Sequence, residues 1–173
     1  MNEGHRGNIV LLGFMGTGKT TVGRMLAERL SMSFVDMDHL IEAKAGKAVS
    51  RIFAEDGEPH FRALERDLVK ELSAKHGLVI GAGGGVVLNA DNIKDYASSG
   101  QVVCLTAGPE VILKRLAGDS SRPLLEGEEK SARILKLLET RRSLYDAIPI
   151  KVDTSCRTPS EVVEVIESFT RTL

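Results

Sequence analysis

Residues 13 to 20 read Gly13-Phe14-Met15-Gly16-Thr17-Gly18-Lys19-Thr20, a full Gly-x-x-x-x-Gly-Lys-Thr phosphate-binding loop. Its glycines let successive backbone N–H groups turn inward around phosphate oxygens. The helix that follows adds the positive end of its dipole. Lys19 has the reach for the outer phosphates, and Thr20 offers a hydroxyl to Mg²⁺. Two carboxylates come next, Asp36 and Asp38. A spacing of two places both on one face if a strand runs through them. Together they supply what a magnesium nucleotide and a hydroxyl nucleophile need: an outer-shell carboxylate and a proton acceptor. The alternative is a pair of solvated loop aspartates that cap the next helix. Arg62 and Arg141 each present a planar fork that matches a carboxylate, although either alone also fits a plain surface charge. Gly83-Gly84-Gly85 follows an apolar run and lets a ligand approach the backbone closely. A loose turn is the competing reading. Arg122, in a polar stretch rich in helix breakers, is suited to swing onto phosphate and offset developing charge, although taken alone it also fits a solvated surface arginine.

These residues need a frame. Apolar strand-length runs recur at 8–12, 33–36, 77–81, 101–106 and 148–152. Helical spacing marks 19–31, 58–75, 89–98, 109–117, 128–145 and 159–171. Strands alternating with helices predict an α/β fold, a five-stranded parallel sheet with helices on both faces. Ligands in such folds collect beyond the carboxyl ends of the strands. Residues 37–76 carry three helical patterns and no strand, which predicts an inserted wall over those strand ends. Residues 117–127 are predicted to form a mobile lid, hinged by Gly118 and Gly127; an ordinary helix–helix connection is the competing reading.

With 173 residues, one domain is expected, large enough to bury roughly 70 per cent of its unfolded surface. A net charge of −1 gives no bulk attraction to nucleic acid or membrane. No apolar run reaches membrane-spanning length, and no signal-peptide core follows Met1. The two cysteines, Cys104 and Cys156, are too few for a disulfide framework. A cytoplasmic monomer is expected. The four histidines share no metal-ligand spacing with a cysteine. Phe53 and Phe61, two of only seven aromatic residues, lie in the insert and suit the wall of a small pocket.

From about residue 8 to 170 the chain resembles the shikimate kinase family. The resemblance rests on Gly-Phe-Met-Gly-Thr-Gly-Lys-Thr-Thr at 13–21, Phe34-Val35-Asp36-Met37-Asp38, Ile52-Phe53, and Gly57-Glu58-Pro59-His60-Phe61-Arg62-Ala63-Leu64-Glu65. Gly83-Gly84-Gly85, Ser121-Arg122-Pro123-Leu124-Leu125, Arg141 four before Tyr145, and Val152-Asp153-Thr154 follow in order. Ser143 departs from the pattern, since the family often has proline there. The resemblance implies a three-layer α/β/α fold of the P-loop NTPase, nucleoside-monophosphate-kinase-like type. It implies transfer of the γ-phosphoryl group of ATP to the 3-hydroxyl of shikimate, with Mg²⁺. Gly16, Thr17, Gly18, Lys19, Thr20 and Thr21 would hold the phosphates. Thr20 and Asp36 would hold the metal. Asp38 would bind the acceptor hydroxyl and is the favoured base. Arg62 and Arg141 would clamp the shikimate carboxylate, with Gly83, Gly84 and Gly85 against the ring. Arg122 would reach the transferred phosphate. Arg115 and the segment from Arg157 to Pro159 would flank the adenine.

Other P-loop classes fit less well. A GTPase needs Asn-Lys-x-Asp, and Asn92-Ile93-Lys94-Asp95 has the wrong order. A nucleoside monophosphate kinase is expected to carry Asp-Gly-Phe-Pro-Arg where this chain has its glycine triplet. A gluconate-type or other small-polyol kinase is the nearest alternative, opposed by the Asp36/Asp38 pair with Phe61-Arg62.

Overall fold

A computed structural model describes residues 7–117 and 130–170. Five parallel strands, β1 (Asn8–Gly13), β2 (Ser33–Asp36), β3 (Leu78–Gly81), β4 (Gly100–Thr106) and β5 (Ile150–Asp153), lie in the order β2-β3-β1-β4-β5. The central strand β1 is buried throughout. Its register against β4 runs from Asn8↔Gly100 to Gly13↔Leu105, and against β3 from Ile9↔Val79 to Leu11↔Gly81. The continuous run Ile9-Val10-Leu11-Leu12 is therefore a strand covered on both faces. Val10 and Leu12 join one core with Ile80 and Cys104, while Ile9 and Leu11 join another with Val79, Val103 and Leu105. Alternation along a strand thus feeds two layers.

Helix α1 (Lys19–Leu30) and α8 (Pro159–Thr170) cover the second of these cores with Val22, Leu26, Val163 and Ile166. The other face carries α2 (Met37–Ala45), α3 (Val49–Glu55), α4 (Glu58–Ser73), α5 (Ala90–Ser99), α6 (Pro109–Leu116) and α7 (Lys130–Asp146). The expected three-layer α/β/α arrangement is found. The three helical patterns between strands two and three are α2, α3 and α4. A 3₁₀ turn at Val86–Leu88, which the sequence did not announce, follows the glycine triplet.

The second strand has its expected bounds, 33–36, while the last starts two residues later than expected. The last strand begins at Ile150, because β4 offers its first partner there, Val103↔Ile150. Ile148 is buried as a strand residue would be, but its N–H closes the end of α7 onto Tyr145 O at 3.1 Å. At β2 the ladder stops at Asp36↔Gly81. The strand does not continue through Asp38, which lies in the first turn of α2.

Candidate active site

The phosphate loop leaves β1 where the sheet order reverses, between β3 and β4. Gly16 and Gly18 take φ values of 79° and 97°, a left-handed region that side chains rarely adopt. Gly18 is the N-cap of α1, and no acidic residue stands in that helix's first turn to repel an anion. Gly16, Gly18, Lys19, Thr20 and Thr21 line a cleft of about 190 Å³, completed by Asp36, Asp38, Gly81, Ala82, Gly83 and Gly84. Lys19 Nζ donates to Gly13 O at 2.8 Å and Phe14 O at 3.0 Å, so the ammonium is folded over its own loop. Thr17 is buried and turned away from the cleft. Its hydroxyl donates to Phe14 O at 2.8 Å.

Both aspartates face this cleft, by a different geometry from the one their spacing suggested. Asp36 is the last residue of β2 and the N-cap of α2, and its Oδ1 accepts from His39 N at 3.3 Å. Its other oxygen, Oδ2, accepts from the Thr20 hydroxyl at 3.0 Å. Capping and cleft roles therefore coexist on one carboxylate. Asp38 reaches the cleft from the helix, one turn-position further on.

The glycine triplet sits where several polar side chains meet. A Cβ at Gly83 would lie 2.9 Å from Asp38 Oδ1. One at Gly84 would lie 3.7 Å from Arg141 Nη1. One at Gly85 would overlap the Arg62 guanidinium. Three consecutive residues without side chains thus each receive one of the three polar groups predicted to hold the acceptor. Arg141 Nη1 and the Tyr145 hydroxyl both donate to Gly84 O, at 3.1 and 2.6 Å, so α7 is pinned to the triplet by two residues four apart. Arg62 faces a neighbouring cavity of about 390 Å³ lined by Glu58, Glu65 and Gly85 among others. It pairs with Glu65 at 3.0 Å and with Glu58 at 3.0 Å. Its guanidinium carbon lies 5.3 Å from the Phe61 ring centroid, close enough for a cation–π contact. Phe61 stacks at a tilt on Phe53, ring centroids 4.7 Å apart, so this aromatic pair backs the arginine.

Glu65 was not singled out by the sequence as a functional residue. Its side chain is 3 % exposed. Burial pushes its carboxyl above the usual range, with Arg62 and Arg141 pulling it back and Asp38 pushing it further. An (i, i+3) Arg–Glu pair on a helix is a faint signal for such a residue, since most such pairs are exposed. Tyr145, part of a recognised motif but given no role, is buried beside the same groups, and its hydroxyl is pushed up to about 12, chiefly by burial.

On the far side of the phosphate loop, Arg115 from α6 donates to Gly16 O at 3.0 Å, Thr154 Oγ1 at 3.0 Å and Thr154 O at 2.8 Å. Arg157 donates to Asp153 O at 2.6 Å, and Pro159 opens α8. Of these, Arg115 is the one in contact with the loop. Arg122 and the expected lid, apart from Ala117, lie outside the described residues. At the ends flanking that segment, Lys130 Nζ donates to Leu116 O at 3.0 Å. Among the described residues no three His, Cys, Asp or Glu side chains converge as a metal cage. None of their helices is long and apolar enough to cross a membrane.

Residues 15–171 match the model of the shikimate kinase family. The shikimate kinase of Pelotomaculum thermopropionicum is 47% identical over 162 residues, 94% of each chain. That of Thermodesulfovibrio yellowstonii is 44% identical over 165 residues, 95% of each. Among solved structures, the shikimate kinase of Acinetobacter baumannii in complex with shikimate superposes with a TM-score of 0.90 at 36% identity, over 96% of this chain and 94% of that one. At such identity over nearly the full length, with the phosphate cleft and glycine triplet in place, the chain belongs to the shikimate kinase family of ATP-dependent kinases.

Proposed function

We propose that this cleft moves the γ-phosphoryl group of ATP to the 3-hydroxyl of shikimate, with its polar side chains dividing the work as follows. The observation that carries the reading is the glycine triplet, which receives Asp38, Arg141 and Arg62 on consecutive residues beside the phosphate loop. A small ring carrying one carboxylate and several hydroxyls suits that spacing: hydroxyl toward Asp38 and the phosphates, carboxylate toward the two guanidinium groups. Gly18 and the start of α1 supply N–H groups to the phosphates. Lys19 exchanges its two loop carbonyls for phosphate oxygens, where its charge offsets that of the transferred group. Asp38 orients the acceptor hydroxyl and takes its proton as the new bond forms.

The oxygens of Thr20 and Asp36 converge at 3.0 Å on the cleft side of the loop. Two hard oxygen donors without a fuller protein cage fit Mg²⁺, which keeps several waters and takes substrate phosphates as ligands. When bound there, the ion would neutralise phosphate charge. Arg122 is assigned to the transferred phosphate, and Arg115 with the Arg157–Pro159 segment to the nucleoside. A cytoplasmic monomer goes with this reading, as the net charge of −1 and the two cysteines of the sequence suggest.

A coupled assay of ADP release with ATP and shikimate, against gluconate and AMP as acceptors, tests the reading. Turnover with shikimate alone supports it. Turnover with gluconate or AMP and none with shikimate refutes it.

A further inference from the structure

We propose that Thr154, which follows β5, is a positioning residue that aims the phosphate loop at its anion. This rests on the reading of the 190 Å³ cleft as the phosphate site. Thr154 is 3 % exposed, and its N–H extends the sheet ladder onto Thr106 O at 2.8 Å, so its backbone is fixed. Its hydroxyl oxygen lies 3.1 Å from Thr17 O, across 137 residues of sequence, and accepts from Arg115 Nη1 at 3.0 Å. It also lies 3.1 Å from Thr106 O. The hydroxyl has one proton. Thr106 O is already served by the Thr154 N–H, so Thr17 O is the carbonyl that depends on that proton.

The peptide joining Thr17 to Gly18 is trans, as all described peptides are. Its carbonyl and its N–H therefore point in opposite directions. Holding Thr17 O toward Thr154 turns the Gly18 N–H the other way, toward the cleft that Gly18 lines and Thr17 does not. Gly18 sits at φ 97°, a conformation with a wide choice of neighbouring states for a residue without a side chain. Sequence alone leaves this peptide plane free to rotate, and the threonine hydroxyl selects one orientation. Arg115 braces the arrangement by holding Thr154 and the preceding carbonyl, Gly16 O, with the same nitrogen. The loop is then preorganised before any phosphate arrives.

The test compares Thr154→Val, which keeps the shape and removes the hydroxyl, with Thr154→Ser, which keeps the hydroxyl. Affinity is measured calorimetrically for MgATP and for magnesium tripolyphosphate, a probe with phosphates and no nucleoside. Thr154→Val is expected to bind both about tenfold more weakly, the scale of leaving a buried carbonyl unmet. Its KM for shikimate and the affinities of Thr154→Ser should stay within about twofold of wild type. Should the valine variant fail to fold, Thr154→Ala gives the same comparison without a methyl pressed against two carbonyls. Wild-type affinity of the valine or alanine variant for both probes would overturn the proposal. So would a loss for ATP with none for tripolyphosphate, which would place the effect at the nucleoside through Arg115. Equal losses in the serine and valine variants would show packing rather than hydrogen bonding at work. A wild-type protein that binds neither probe would remove the phosphate-site reading itself, and this proposal with it.

Discussion

Gly85→Ala should strike the acceptor site through Arg62 while sparing the fold. At Gly85 φ is −94°, which alanine adopts without strain, so the backbone has no reason to move. The added Cβ would fall inside the Arg62 guanidinium. That group is the end of a flexible side chain, so the arginine gives way rather than the loop. Its displacement breaks the 3.0 Å pair with Glu65, a carboxylate that is 3 % exposed. Glu65 without Arg62 limits the damage by protonating, since burial already pushes its carboxyl upward. Alanine also lowers the entropy of the unfolded chain, which offsets roughly 0.4–1 kcal/mol. The net change in Tm should therefore stay within about 4 °C. The substrate contact has no such buffer. Losing a charge-assisted hydrogen bond costs about 1.5–3 kcal/mol, which is roughly a 10- to 150-fold rise in KM for shikimate. KM for ATP should be unchanged, because Arg62 does not line the phosphate cleft. A coupled assay with each substrate varied in turn reads both constants. The route is checked by the double variant with Arg62→Ala. If the alanine acts by displacing Arg62, the two losses are not additive. Additive losses, or equal effects on ATP and shikimate, would refute the reasoning.

Lys19→Ala should lower kcat by more than about a hundredfold, since losing one such charge contact costs about 3 kcal/mol; a kcat within tenfold of wild type would exclude the role. Asp36→Asn should raise the Mg²⁺ concentration needed for half-maximal rate and be partly rescued by excess Mg²⁺. Asp38→Asn should lose on the order of a hundredfold in kcat without such rescue, and a Mg²⁺ titration that rescues Asp38→Asn alone would reverse the two assignments. Glu65 carries a pH signature as well. Burial holds its folded carboxyl above the usual carboxylate range, so the native state binds more protons than the unfolded one, and stability falls as pH rises through that window. Urea unfolding at several pH values should show the stability of wild type minus that of Glu65→Gln declining from pH 4.5 upward; a flat or rising difference would contradict it.

The phosphate loop was legible because its residue types are local. Gly16 and Gly18 take left-handed φ values that glycine adopts freely, so the loop could be recognised from its own residues, while its distant braces, Arg115 and Thr154, could not. The carboxylate pair was legible in destination and misread in route. A two-residue spacing suggests a strand, but β2 is an edge strand whose one partner, β3, ends at Gly81 opposite Asp36. With no ladder left to join, the chain turned into α2, and Asp36 became the cap that starts it. Ile148 misled in the same way, since its burial comes from the end of α7 rather than from a strand.

What stayed hidden follows a rule that these residues illustrate. Lys19, Arg62 and Asp38 are the residues assigned to a ligand, and their chemical type suits that assignment on its own. Glu65, Tyr145 and Thr154 are chosen for what they do to other parts of the protein. Glu65 sets Arg62, Tyr145 holds Gly84 O across 61 residues, and Thr154 holds Thr17 O across 137. A threonine or tyrosine has many ordinary uses, and its type says nothing until the fold brings its partner to it. The ligand-facing layer of a site is therefore readable from composition and spacing. The layer behind it, which sets whether that first layer is held to within a fraction of an ångström, becomes readable only with the tertiary structure.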